Sequence, residues 1–77
     1  MTKPGLYRHN KSGDTYCVLY TAINTTNGDN DGQILVVYMK QRAGHPIDKI
    51  YAREERQFHE IVDGKPRFEP IGVSPLM

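Results

Sequence analysis

Apolar and polar positions alternate along most of this chain, and polar clusters cut the alternation into short segments. Lys3, Pro4 and Gly5 form a turn signal that leads into a first short strand, Leu6 to His9. A polar turn, Asn10 to Asp14, separates it from a long strand, Thr15 to Ile23, rich in Tyr, Val, Leu and Thr. Strict alternation puts Tyr16, Val18, Tyr20 and Ala22 on one face and Cys17, Leu19, Thr21 and Ile23 on the other. Both faces are fairly apolar, as in a central strand of a curled sheet. Asn24 to Gly32 holds only small and polar residues and reads as a solvated loop. Gln33 to Arg42 repeats the strand pattern, so the two runs predict an antiparallel hairpin.

Ala43 to Pro46 is a further turn, and Ile47 to Arg53 a shorter strand. Residues 53–57 are the one stretch with helical preference, enough for a single turn. Phe58 to Val62 then reads as a strand, Asp63-Gly64 as a hairpin turn, and Lys65 to Ile71 as the returning strand. Pro66 and Pro70 lack a backbone donor and place that last strand at an edge or in a short pairing. Five to six short strands with one late helical turn predict an all-β fold, a small SH3-like antiparallel barrel. Residues 1–77 make one domain, with 1–4 and 72–77 expected as flexible ends.

Size and charge narrow the function. A domain of 77 residues has a thin core and little room for a deep cleft. The net charge of +1 argues against a general phosphate-backbone binder. Charge is unevenly spread, because residues 1–25 carry Lys3, Arg8 and Lys11 against Asp14 alone, which leaves room for a local basic patch. The single Cys17 cannot form an internal disulfide, no run is long enough to span a bilayer, and the first residues lack the apolar stretch of a signal peptide. The expectation is a cytoplasmic protein with no membrane association.

Five short motifs occur in order: Tyr7-Arg8-His9, Val36-Val37-Tyr38, Ile50-Tyr51-Ala52-Arg53, Phe58-His59-Glu60 and Lys65-Pro66-Arg67-Phe68. Together they resemble a small bacterial and phage family catalogued as domain of unknown function 1653, over roughly residues 4–71. The chain departs from that family's pattern at Asn10, where the family has an aromatic, at Glu54, where it has proline, and in a longer loop around Asp29 to Asp31. The resemblance implies a small cytoplasmic β-barrel and no assigned activity.

Candidate chemistry is sparse. Cys17 with His9 or His59 would make a thiolate and its base, but Cys17 lies mid-strand among apolar residues, where thiols are inert. His9, His45 and His59 lack any paired ligand spacing, so no metal or other cofactor is expected. Asn27, Asp29 and Asp31 mimic the start of a calcium loop, yet its twelfth position, which needs a bidentate Glu, is Tyr38. A cluster of aromatic and cationic residues remains: Tyr7, Arg8, His9, Tyr38, Tyr51, Arg53 and Arg67. Exposed Tyr and Arg on neighbouring strands offer flat binding surface with fork-shaped donors. Alternatively Tyr7, Tyr16 and Tyr51 fill the core while Arg8, Arg53 and Arg67 pair with Glu54, Glu60 and Glu69.

The expected function is a non-enzymatic module that binds a peptide or protein surface through this cluster, as a monomer or weak homodimer. The alternative is a phage-encoded nucleic-acid-binding accessory protein, with Lys3, Lys11 and Lys40 tracking phosphates.

Overall fold

The computed structural model describes residues 1–41 and 49–72. In chain order it contains β1 (Gly5–His9), β2 (Thr15–Ile23), β3 (Ile34–Lys40), β4 (Tyr51–Glu54), α1 (Glu55–Phe58), β5 (Ile61–Val62), β6 (Lys65–Pro66) and β7 (Phe68–Gly72). The all-β expectation holds. Five strands form one antiparallel sheet in the order β4-β3-β2-β1-β7, and β5 with β6 makes a separate small hairpin. The turn at Ala43 to Pro46 and the first residues of the strand expected from Ile47 lie outside the described residues.

Alternation explains which side chains face inward. Directly paired residues share a face, so Tyr7, Tyr16, Val18, Tyr38, Tyr51 and Phe68 all project from one side of the sheet. Tyr7, Val18, Val36, Tyr38, Phe58 and Phe68 pack there as the core, with half-buried Tyr16 against them. The sheet must curl to achieve this. Three strand spacings separate β3 from β7, about 14 Å if flat, yet the Tyr38 and Phe68 rings are 5.5 Å apart. Cys17, Val37 and Met39 are buried on the opposite face.

Among the described residues the curl does not become a hydrogen-bonded barrel. β4 and β7 end the sheet unpaired with each other, and the gap is filled by a side chain. Phe58 comes from α1, lies face to face with Phe68 at 4.2 Å, and meets Tyr7 and Tyr38 edge-on. A four-residue helix has no stability of its own. It forms here because Phe58 anchors it.

Four expectations change in detail. The helical turn sits at Glu55–Phe58, so Phe58 belongs to it and not to the following strand. The last strand is two, because after Pro66 the chain leaves β5 and re-forms pairing with β1 from Phe68. The strand read as Gln33 to Arg42 spans Ile34–Lys40. A β-bulge between Val18 and Tyr20 breaks strict alternation. Beyond it Tyr20 and Ala22 pair with Val37 and Leu35, on the face of Cys17 and not that of Tyr16.

Candidate functional site

The seven residues of the sequence cluster part company. Tyr7 and Tyr38 are each only 6 % exposed and belong to the core. The Tyr7 hydroxyl donates to the Lys3 carbonyl at 2.9 Å, and its pKa is raised, chiefly by burial. Both therefore leave the list of binding residues, because their rings already have partners inside the protein. Arg8 projects from the opposite face and pairs with Glu69 at 2.6 Å across β1 and β7. Arg67 pairs with Glu60 at 2.8 Å. Two of the three expected ion-pair partners are thus found, whereas Glu54 reaches Arg56 and not Arg53.

His9, Arg53 and Arg67 still converge. His9 and Arg67 stand at one end of the sheet, and the guanidinium groups of both Arg67 and Arg53 act electrostatically on the His9 ring. Tyr51, 40 % exposed, leans on Tyr38 at 5.7 Å. The His9 ring stands edge-on to Phe68 at 4.9 Å and to Tyr16 at 6.2 Å.

A groove opens beside His9. It has a volume of about 250 Å³ and lies between the β1–β2 turn, which supplies His9, Asn10 and Lys11, and the β5–β6 hairpin, which supplies Val62, Asp63, Lys65 and Pro66, with Arg67 following. Local chemistry builds each wall. In the first, the His9 amide donates to the Asp14 carbonyl at 2.8 Å, the Gly13 amide donates back to the His9 carbonyl at 2.7 Å, and Gly13 takes a positive φ. In the second, Asp63 and Gly64 both have positive φ, the geometry that an Asp-Gly pair supplies to a two-residue hairpin.

One side chain joins the walls. Asn10 Nδ2 donates to the Pro66 carbonyl at 2.7 Å, while its own amide donates to the Arg67 carbonyl at 3.1 Å. The Arg67 amide in turn donates to the Glu60 carbonyl at 2.7 Å. Sequence reasoning missed Asn10, Val62, Lys65 and Pro66 as site residues, and named Lys11 only for tracking phosphates. An asparagine in a turn usually bonds its own backbone, and only the fold shows this one reaching across 56 positions.

The groove has a defined electrostatic character. The Ser12 amide donates to His9 Nδ1 at 3.2 Å, and the Ser12 hydroxyl lies 2.9 Å from the same nitrogen. The Asp14 amide donates to that hydroxyl, which frees its proton for Nδ1. Nδ1 is therefore an acceptor, and the neutral ring carries its proton on Nε2. Burial lowers the His9 pKa, and Arg67, Arg53 and Lys11 lower it further against the opposing pull of Asp14. Arg67 Nε is buried without a hydrogen-bond partner. Lys11 and Lys65 are exposed, and Asp63 is the only carboxylate in the lining.

A second polar cluster lies at the other end. The Thr2 amide and hydroxyl both donate to Glu55 Oε2, at 2.6 and 2.8 Å, and His59 Nε2 lies 2.7 Å from the Thr2 hydroxyl. Thr2, in the segment read as a loose end, is thereby buried against α1. The arrangement is not a nucleophile with an oriented base, because the carboxylate binds the hydroxyl and not the imidazole. Cys17 is fully buried. Among the described residues no group of three or more His, Cys, Asp or Glu side chains is placed to hold a metal ion, and no helix is long and apolar enough to cross a membrane.

The fold and its groove define a small antiparallel all-β domain with a basic-rimmed cleft at one end. No family model, no curated protein and no solved structure matches the chain.

Proposed function

We propose that the chain is a non-enzymatic binding module that recognises a peptide or protein surface through the groove beside His9. One observation supports this reading most directly: two walls from separate hairpins, tied together by Asn10, enclose a cleft that Val62 and Pro66 line with apolar surface and Lys11, Lys65 and Arg67 rim with charge. About 250 Å³ is below the ~300–1,000 Å³ of pockets for drug-sized ligands, and suits one or two side chains of a partner. Tyr51 is exposed and Arg53 acts electrostatically on His9, and both extend the surface a larger partner would cover.

The module works in the cytoplasm, as a monomer or weak homodimer, in keeping with its lone buried thiol. The order of its five motifs supports membership of the domain-of-unknown-function family 1653.

Affinity capture from lysate tests the reading, with wild type beside a Lys11→Ala/Lys65→Ala variant. These side chains are exposed and outside the core, so the variant keeps its fold, unlike one altered at Tyr7. A partner retained by wild type and lost from the folded variant is the expected result. Equal retention by both removes the groove from the interface.

A further inference from the structure

We infer that the groove's partner is an acidic stretch of polypeptide, with carboxylates against Lys11, Lys65 and Arg67 and an apolar side chain on Val62 and Pro66. The inference rests on the binding-module reading and deepens it by naming the ligand's chemistry.

The donor and acceptor content of the lining carries it. Lys11 and Lys65 make no ion pair among the described residues, and each offers only donors. Arg67 brings a further positive charge, with one terminal nitrogen on Glu60 and its Nε buried away from the groove. His9 accepts at Nδ1 from the Ser12 turn, so what remains on its ring is the Nε2–H donor. Asn10 has its amide nitrogen on Pro66 and its oxygen on Arg8, leaving little for a ligand. Against these donors stands one exposed carboxylate, Asp63. With His9 neutral, the lining has three cations and one anion, while the whole chain is only +1. A ligand that satisfies such a lining brings acceptors and negative charge.

The groove's size and apolar content select among anions. A nucleic-acid strand needs a track of cations along its backbone and exposed rings on which bases stack. Here the cations close round a short cleft lined by a valine and a proline, and the nearest rings, His9, Tyr16 and Phe68, are packed on one another. An acidic residue next to an aliphatic one meets both halves of this lining.

The test uses short capped peptides of alternating glutamate and leucine, of glutamine and leucine, and of lysine and leucine, beside a single-stranded oligonucleotide. Each is titrated into ¹⁵N-labelled protein at two salt concentrations. The expected result is that the glutamate peptide shifts the amides of Lys11, Val62, Lys65 and Arg67. In a Lys11→Glu/Lys65→Glu variant with unchanged circular dichroism its affinity falls by about tenfold or more. If the glutamine or lysine peptide shifts the same amides as strongly, the acidic ligand is wrong and the binding module stands. If no peptide shifts them, both fail. Tighter, steeply salt-dependent binding of the oligonucleotide at the groove overturns the inference in favour of nucleic acid.

Discussion

Replacing Phe58 with alanine tests how this sheet holds its shape. Phe58 is wholly buried, and its ring lies between Phe68 at 4.2 Å and the edges of Tyr7 and Tyr38 at 5.3 and 5.6 Å. Truncating a fully buried phenylalanine costs about 3–5 kcal/mol, lost transfer energy plus the cavity left behind. A domain of this length has a total stability of about 4–12 kcal/mol. The deletion therefore removes a large share of that stability, and at the lower end nearly all of it. α1 should melt as well, because its four residues have no other buried anchor. Urea unfolding followed by far-ultraviolet circular dichroism gives the answer. With a slope of about 1 kcal/mol per molar urea, the midpoint should fall by roughly 3 M or more, or the variant should be unfolded in buffer. Phe58→Leu keeps most of the volume and should lose about 1–2 kcal/mol. An alanine variant whose midpoint falls by less than about 1 M would refute the reasoning, and the sheet would then owe its curl to something other than this plug.

Three further outcomes are expected. His9 has a pKa below that of an unfolded histidine, so the unfolded chain binds the extra proton first; stability should be complete above about pH 6.5 and decline as pH falls towards the folded value, and a His9→Asn variant should lose that slope in urea melts across the window. Glu55 is held below the ordinary carboxylate range chiefly by the Thr2 hydroxyl and amide, so its contribution is present above that range and lost as pH falls through the folded value; Thr2→Val should raise the Glu55 pKa seen by NMR titration, and an unchanged value would dismiss the clamp. Gly64 has φ of 81° with open space around it, so Gly64→Ala should cost about 1 kcal/mol through backbone strain alone, read as faster hydrogen exchange confined to β5 and β6.

How much of this was legible in the sequence depends on the range of the interaction. β1, β2 and their polar turn follow from local alternation, and the structure places them within a residue of the sequence reading. The cross-strand pair Arg8–Glu69 was also foreseeable, because opposite charges on adjacent strands find each other, and Arg67–Glu60 forms beside the β5–β6 hairpin. The bulge at Leu19 leaves no compositional trace, and one extra residue moves Tyr20 and Ala22 to the other face. Phe58 misled because an apolar residue ahead of Ile61 and Val62 extends a strand pattern, while its real partners lie in β1, β3 and β7. Tyr7 and Tyr38 looked like binding surface because alternation gives a residue's side but not which side the chain later covers. The groove was invisible for a related reason: its walls are more than 50 positions apart and meet only because β7 pairs with β1.

The link from Asn10 to Pro66 fixes the spacing of those walls before any visitor arrives. On the proposed binding role, a partner would find a slot already cut to width, and little ordering entropy would be spent on reshaping it. Fit, rather than adaptation, would then decide what enters, and a segment too bulky for the slot would have to break that amide contact to get in.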